Sequence, residues 1–440
     1  MPFSNNTGKE RTLAEFPLTG AMRADGEPLT LAEYEKCGGY QALRKALTTL
    51  TPREVLEEVK KANLRGRGGA GFPTGLKWES ISPLDDPRRP RYFIANADEM
   101  EPGTFKDRLL LEGNPHQLLE GLILGAYAVQ ADQGYVFIRW SYATPIRNLE
   151  RAVAEAYAKG YLGKDILKSG YCLDISVHVS AGRYICGEET ALFNALEGKR
   201  ALPRTRTLRA GELGIWGKPS ISNNTETLCN VPHIINNGAD WFLKLGHCDD
   251  GGTKIYGVSG RVKNPGAWEL PIGTTVREIL EDHAGGMAPG FKFRSLIPGG
   301  ASTQFILEEH LDAKMDYSDL QKVGSRLGTG AIVVLDDHTC PVGFVLNLET
   351  FFAHESCGWC TPCREGLPWT ERLLGAIERG EGQPEDLETL KFLGNMMGVG
   401  RTFCLLAPGA MMPLESALKH FAEDFTNHIN RRGCPWRDRI

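Results

Sequence analysis

No apolar run in this 440-residue chain is long enough to cross a bilayer. The richest stretch, Leu118 to Val129, is interrupted by Glu120 and falls short of the roughly 20 residues a spanning helix needs. The opening MPFSNNTGKERTLAEF has no apolar signal core and no Arg-rich amphipathic pattern, so neither export nor organelle import is expected. There is no excess of basic charge. Fifty Lys and Arg against 55 Asp and Glu leave a net charge of −5, which gives no electrostatic footprint for nucleic acid. The Asn430-Arg431-Arg432 run reads as a solvated tail. Internal repeats and low-complexity tracts are missing. An even-numbered disulfide framework is missing too, because the 11 cysteines are odd in number and spread over a long chain. That usage suits a reducing compartment. Cys37, Cys172, Cys186, Cys229, Cys248, Cys340 and Cys434 stand singly and read as small core or surface residues.

What is present is ordinary globular composition, 41% hydrophobic and 24% charged, with room for about two to four domains. Helical pattern begins near Leu31, and Tyr40 to Leu50 is a short helix. Thr51-Pro52-Arg53-Glu54 is a capping box with proline at the first helical position, opening a helix to about Ala62. A glycine-rich loop, Arg65 to Gly75, follows. A buried strand over Arg91 to Ala95 leads into a polar loop, Asn96 to Gly103. Helices over 116–131 and 144–159 then alternate with strands over 134–140 and 173–179. Another helix starts near Glu188. Such alternation predicts an α/β layer with a mostly parallel sheet. From Lys254 the chain becomes glycine-rich and strand-like, with a turn at Asn264-Pro265-Gly266 and a helix from Thr275 to Ala284. Strands near 293–297 and 331–335 complete a small β-rich unit. The remainder is helical, including helices from Pro362 to about Arg379 and from Glu385 to Met397. The expected division is an N-terminal helical segment (1–64), an α/β domain (65–248), a β-rich domain (249–336) and a helical bundle (337–440).

The bundle contains ESCGWCTPCREG, in which Cys357, Cys360 and Cys363 sit two residues apart. Three thiols in one tight loop need a fourth donor, and Cys404 in GRTFCLLAPGA is the best candidate. CxxCxxC plus one remote cysteine is a familiar iron–sulfur arrangement. Zinc sites more often pair two CxxC knuckles, and a redox pair needs only two cysteines in a βαβ setting. The spacing therefore favours a cluster, with zinc and a redox pair as alternatives.

Upstream, LRGRGGAGFPTGLKW offers successive backbone amides with no side chain in the way, which suits an anion. It lacks the Gly-Lys-Ser/Thr ending of a phosphate loop, so a flexible turn is the competing reading. Lys77 is placed to balance phosphate charge. NADEMEPGTFKDR puts Asn96, Asp98, Glu99 and Glu101 at the carboxyl end of a strand, the edge where open α/β sheets bind ligands. A capped turn explains the same residues blandly, and irregular oxygen spacing argues against Mg²⁺ or Ca²⁺. RYICGEETAL places Glu188 and Glu189 in the first turn of a helix, where the dipole alone accounts for them. Asn223, Asn224 and Thr227 in WGKPSISNNTET can bond phosphate or ribityl hydroxyls.

Taken together, RGRGGAGFPTGLKW, NADEMEPGTFKDR, AGRYICGEETAL, WGKPS with NNTETL, and ESCGWCTPCREG with Cys404 resemble one family. It is the F subunit, the flavoprotein, of bacterial respiratory NADH:quinone oxidoreductase (complex I), and the resemblance runs from about Tyr34 to Phe425. It implies a Rossmann-like FMN domain, a β-grasp domain and a helical bundle with a [4Fe–4S] cluster held by Cys357, Cys360, Cys363 and Cys404. The implied contacts to FMN and NAD(H) are Gly66, Arg67, Gly68, Gly69, Ala70, Gly71, Phe72, Gly75, Lys77, Asn96, Asp98, Glu101, Tyr184, Gly187, Glu188, Asn223, Asn224 and Thr227. Glu189, beside the adenosine ribose, disfavours a 2′-phosphate. The implied reaction is hydride transfer from NADH to FMN, then single electrons to the cluster and indirectly to quinone. No catalytic side chain is implied, and Glu99 and Glu101 are expected to bond nucleotide or flavin. The β-rich stretch Val258 to Thr275 is expected to be scaffold.

The chain departs from the family where a Lys-Pro-Pro-Phe-Pro run, whose Phe stacks on adenine, is replaced by residues 206–210. Arg206 and Arg209 lie there and are counted among the nucleotide contacts, since arginine can stack on adenine or attract a 2′-phosphate. An aromatic is missing at Ser80, and a family Cys is Ala95. With no thioredoxin-like extension, the chain is expected to rely on a separate [2Fe–2S] subunit (E type) and a multi-cluster subunit (G type), peripheral on the cytoplasmic side of the inner membrane. Two rival readings are the diaphorase of a soluble hydrogenase or formate dehydrogenase, and an electron-transfer subunit with impaired nucleotide binding.

Overall fold

The capping chemistry of the N-terminal region is realised in the fold. In the computed structural model, which describes residues 12–81, 89–205 and 213–436, Thr30 and Glu33 form a capping box that opens α1 (Leu31–Lys36). After α2 (Gln41–Thr49), Thr51 and Glu54 form another, with Pro52 opening α3 (Pro52–Lys61). The glycine loop ends earlier than expected, because α4 (Thr74–Glu79) begins before Gly75. A Cβ at Gly75 would come within 2.4 Å of the Lys60 Cα, so this glycine serves the close packing of α4 on α3.

The α/β layer follows as β1 (Tyr92–Ala97), α5 (Lys106–Gly113), α6 (Pro115–Ala128), β2 (Gln133–Arg139), α7 (Ala143–Lys159), β3 (Asp174–Ser180), α8 (Glu189–Leu196), β4 (Ser220–Asn224), α9 (Thr225–Asn237) and α10 (Ala239–Leu245). All four strands are parallel, in the order β3-β2-β1-β4. The predicted alternation missed α5, α9, α10 and β4. The reasons are local: β4 reads SISNN, α9 contains Pro232, and α5 buries Lys106 and Asp107. Glu120, which breaks the longest apolar run, is buried in α6. It accepts from the Tyr34 hydroxyl (2.6 Å) and from the Tyr40 and Leu43 amides (2.8 and 3.0 Å) at the start of α2.

The β-rich unit comprises β5 (Thr253–Ser259), β6 (Gly266–Pro271), α11 (Val276–Glu278) running into a wide turn over Ile279–His283, β7 (Phe293–Ile297), α12 (Asp319–Lys322) and β8 (Ala331–Asp336). Its sheet order is β6-β5-β8-β7, with β5 and β8 parallel and the outer pairs antiparallel, a β-grasp arrangement. The bundle is α13 (Pro341–Glu355), α14 (Thr361–Arg379), α15 (Pro384–Met397), α16 (Leu406–His420) and α17 (Ala422–Arg431).

The pleat of β1 assigns its residues to two different cores. Phe93, Ala95 and Ala97 join the N-terminal helices and α6, while Tyr92 and Ile94 join a cluster that continues through α8 into the bundle. The parallel sheet is thus covered on both faces, as its crossovers require. The chain leaves β1 toward β2 and β3 and returns on the other side as β4. The strand order therefore reverses between β1 and β4, the place where open α/β sheets form a ligand crevice.

Candidate functional site

The carboxyl ends of β1 and β4 meet in register, Ala95 opposite Asn223 and Asn96 opposite Asn224. This brings the NADEMEP and SISNNTET segments to the switch-point crevice. Asn96 accepts the Asp98 amide at 3.0 Å. Asn223 accepts the Trp78 indole N–H at 2.8 Å. Asn224 caps α9 and donates to Asp107 at 2.6 Å. Asp98 is buried, with one carboxylate oxygen accepting from the Ser180 hydroxyl at 3.1 Å. Its other oxygen has no hydrogen-bond partner among the described residues. Burial pushes its pKa up to about 6, the Ser180 bond offsetting only part of that.

The glycine loop is closed at its base by Gly66 N–H donating to the Phe72 carbonyl (2.9 Å) and Thr74 N–H to that of Leu64 (2.8 Å). Its far side lies against the β-grasp unit. The Tyr317 hydroxyl donates to the Gly66 carbonyl at 2.6 Å. Gly71 has φ +67°, and a Cβ there would fall 2.3 Å from the Tyr317 ring. A Cβ at Gly68 would meet Asn224 at 3.0 Å, so loop and crevice share a wall. The β-grasp unit, expected only as scaffold, therefore shapes the loop through Tyr317. Gly69 faces Gly328 and Thr329, Gly187 has open space before it, and Phe72 is 57% exposed. Ala70 lies in the same turn.

Arg67 is turned into the protein. Its side chain is fully buried, donating to the carbonyls of Gly251 (2.9 Å) and Thr253 (3.2 Å), and its amide donates to the Thr227 hydroxyl (2.8 Å). Arg67 and Thr227 thus join the loop to α9 and to the entry of β5. Glu99 also turns inward. It accepts from the Asp107 and Arg108 amides (3.0 and 3.1 Å) and the Tyr142 hydroxyl (2.9 Å). Burial, reinforced by Asp107, raises its pKa to about 7. Glu101 accepts from the Tyr184 hydroxyl (2.6 Å) and the Ser302 amide (2.7 Å), a bridge to the β-grasp unit. The partners of Glu99 and Glu101 are thus protein groups. Glu188 caps α8, and Glu189 pairs with Lys77 at 2.7 Å across the loop. Arg206 and Arg209 lie outside the described residues.

Beneath the crevice is an ionic network that the motifs do not announce. Lys106 contacts Asp107 (2.7 Å) and Glu226 (3.0 Å), and Lys254 contacts Glu226 (3.2 Å). Burial opposes the Lys106 charge, but Asp107, Glu226 and Glu99 override it and raise its pKa. Lys254, sharing only Glu226, is pushed down by burial to about 8. One signal for it exists in the sequence: Lys106 and Asp107 follow the apolar Phe105 and lie just ahead of three leucines.

The cysteines lie where α13, α14 and α16 approach. Cys357 is in the α13–α14 connection, Cys360 caps α14, Cys363 is in its first turn and Cys404 precedes α16. Gly358, at φ +76°, turns the chain between the first two. The Phe403 amide donates to Cys360 Sγ at 3.3 Å, and Ser356 Oγ lies 3.2 Å from Cys363 Sγ. Burial, with the neighbouring thiols, pushes Cys363 up to about 11 and Cys404 up to about 12. Such thiols need a bound cation to become thiolates. These four are not the compact donor group sized for one ion, which among the described residues lies elsewhere. The loop is tied to the crevice: Glu355 accepts the Tyr184 amide (2.9 Å) and pairs with Arg183 (3.1 Å), and Arg200 donates to the Cys357 carbonyl (3.2 Å).

Fold and site together join a glycine-lined crevice at the switch point of a parallel sheet to a loop rich in cysteine, an arrangement suited to a redox protein. Residues 59–233 match the Nuo51 FMN-binding domain, 255–305 the SLBB domain, and 343–428 the NADH-ubiquinone oxidoreductase-F iron–sulfur binding region. The NADH-quinone oxidoreductase F subunit of Escherichia coli is 55% identical over 96% of this chain and 94% of its own. That of Streptomyces coelicolor is 45% identical over 97% and 94%. An NAD⁺-reducing [NiFe]-hydrogenase in the H2-reduced state is a structural neighbour at TM-score 0.79 and 32% identity, covering 93% of this chain and 67% of that one. The chain belongs to the family of NADH-quinone oxidoreductase F subunits.

Proposed function

We propose that the chain is the NADH-oxidising subunit of complex I, working through FMN and a [4Fe–4S] cluster, with the flavin at the switch point and the cluster on the cysteine loop. FMN bound there would supply the acceptor for a hydride from NADH and the source of single electrons for the cluster. The observation that carries the reading is the direct tie between the two ends of the path, the Tyr184 amide and Arg183 on Glu355, two residues before the first cysteine of the loop. Residues at the switch point hold the flavin. Asp98 offers its unpartnered oxygen to a ring N–H, and Asn96, Asn223 and Asn224 present amides to the polar edge and ribityl chain. Gly66 to Gly71 give phosphate an approach to backbone. Phe72 covers the adenine end, and Glu189, held by Lys77, repels a 2′-phosphate. Cys357, Cys360, Cys363 and Cys404 hold the cluster.

The chain acts within an assembly of other subunits. Exposed Trp359 and Phe403, with ring centroids 6.1 Å apart beside Cys360, suit docking of a multi-cluster subunit. A separate thioredoxin-like [2Fe–2S] subunit completes the NADH-oxidising unit. Among the described residues no helix is long and apolar enough to cross a membrane. The chain is placed peripherally on the cytoplasmic side through its partners. A second reading, the diaphorase of a soluble hydrogenase, is favoured by the hydrogenase neighbour alone.

Stopped-flow mixing of the FMN-loaded, cluster-reconstituted chain with NADH tests the assignment. Flavin absorbance bleaches at saturating NADH and changes far less with NADPH. Bound FMN that stays oxidised would sink the dehydrogenase reading. Glu189→Gln narrows the gap between the two nucleotides by up to about tenfold, equivalent to about 1.4 kcal/mol, an upper bound because Lys77 already pairs with the carboxylate.

A further inference from the structure

Two of the singly placed cysteines are neighbours in space. Cys340 Sγ lies 3.3 Å from His428 Nε2 and 3.5 Å from a Glu378 oxygen, and that oxygen is 3.1 Å from His428 Nε2. Cys434 Sγ completes the group, all four donor atoms falling within 4.8 Å of one another. For metal–ligand bonds of about 2.0–2.3 Å, the edges of a tetrahedron are roughly 3.3–3.8 Å. The three separations among Cys340, Glu378 and His428 are close to those edges, and Cys434 lies within 4.8 Å of each. We propose that Cys340, Glu378, His428 and Cys434 form a structural zinc site, separate from the cysteines of the electron path.

The surroundings are built for it. His428 is fully buried, and its Nδ1 donates to the Asp424 carbonyl at 2.6 Å. That bond leaves Nε2 as the lone-pair donor facing the group, the usual arrangement around a metal-bound histidine. Cys340 caps α13, and its Sγ accepts from the Gly343 amide at 3.2 Å. Trp436 stacks on His428 and donates from its indole to the Asp337 carbonyl at 3.4 Å. A Cβ at Gly380 would fall 2.0 Å from the Arg432 backbone, so the chain after α17 is pressed onto the end of α14. Asn430, Arg431 and Arg432 are exposed as expected, and the chain beyond them brings Cys434 back against the bundle.

Two thiolates, one carboxylate and a neutral imidazole on a divalent ion leave a net −1. Arg294 is stacked over Trp436 with its guanidinium 5.0 Å from the ring centroid, and its charge is paired with Asp424 at 2.6 Å. Four protein donors fill the tetrahedron and leave no position for substrate, which makes the site structural. Cys340 and Glu378 lie at the ends of α13 and α14 remote from the Cys357 loop. At 1.5 Å per residue, the 15-residue α13 separates the two centres by about 22 Å. Zinc would clip the foot of the hairpin whose head holds the cluster.

Metal analysis and zinc X-ray absorption on the full-length holoprotein test this. The expected result is one zinc per chain beside the cluster iron, with two sulfur neighbours at about 2.3 Å and two nitrogen or oxygen neighbours at about 2.0 Å. The Cys340→Ser, Cys434→Ser double variant lowers zinc content roughly tenfold while keeping iron and FMN. Zinc with four sulfur neighbours would mean misloading of the Cys357 loop and would overturn the proposal. So would absence of zinc after growth in zinc-supplemented medium, or a Cys340–Cys434 disulfide seen by intact mass. The spectrum of the unmutated protein decides the matter even where the variant fails to fold.

Discussion

Asp98 sits at the end of β1 with one oxygen on Ser180 and the other bare, and its pKa of about 6 follows from burial. An ordinary Asp titrates near 3.9. The folded state therefore prefers the protonated form, and the stability this gives is complete below about pH 4 and lost as pH rises through about 6. Asp98→Asn removes that penalty. The apoprotein variant is expected to be more stable at pH 7.5, by at most about 3 kcal/mol, with the advantage gone by about pH 4. Its FMN affinity should fall, because an amide replaces the carboxylate offered to the ring. Urea unfolding at the two pH values and a flavin titration check both arms. This residue was legible from the sequence as an acid at a strand end, because strand polarity alone puts it there. Arg67 and Glu99 were not legible in the same way. Their side chains turn inward to partners on α9, α5 and the β5 entry that sequence proximity does not reveal.

At the scale of elements, capping boxes and the strand–helix alternation follow from local chemistry, and α1 to α3, β1 to β3, α14 and α15 appear where local signals place them. The missed elements are those whose local chemistry argues against them. Polar β4 forms because its backbone pairs with β1, and α5 buries charge because Glu226 and Lys254 come to meet it. That buried network yields a sharp expectation. Glu226→Gln leaves Lys106 and Lys254 without their shared counter-charge and should cost about 3–5 kcal/mol. Thermal unfolding of the variant, alone and with Lys254→Met, separates a lost ion pair from lost packing. The double variant should recover part of the loss.

At the scale of the whole molecule, three apolar cores are joined by polar ties: Tyr317 on the glycine loop, Glu101 between Tyr184 and Ser302, and Glu355 between crevice and cysteine loop. The outer end of that path carries Trp359, half exposed next to Phe403. Trp359→Asp should leave NADH-driven bleaching of the isolated chain unchanged. It should weaken assembly with the multi-cluster subunit proposed as its partner by about 2 kcal/mol, roughly thirtyfold. Interferometry against that subunit reads the change, and unaltered affinity would remove Trp359 from the docking surface.

The sequence by itself determined the elements with strong local signals, the cysteine spacing and, through motif order, the family. These depend on residues a few positions apart, whose caps, periods and ligand loops are fixed by backbone geometry. Only the tertiary structure decided which glycines have open space before them and which are packed against a neighbour, and that Arg67 and Glu99 brace the crevice. It also decided that Cys340 and Cys434, 94 residues apart by their numbers, share one point in space. Those outcomes depend on which helix ends and strand ends meet, and that follows from burying three cores at once.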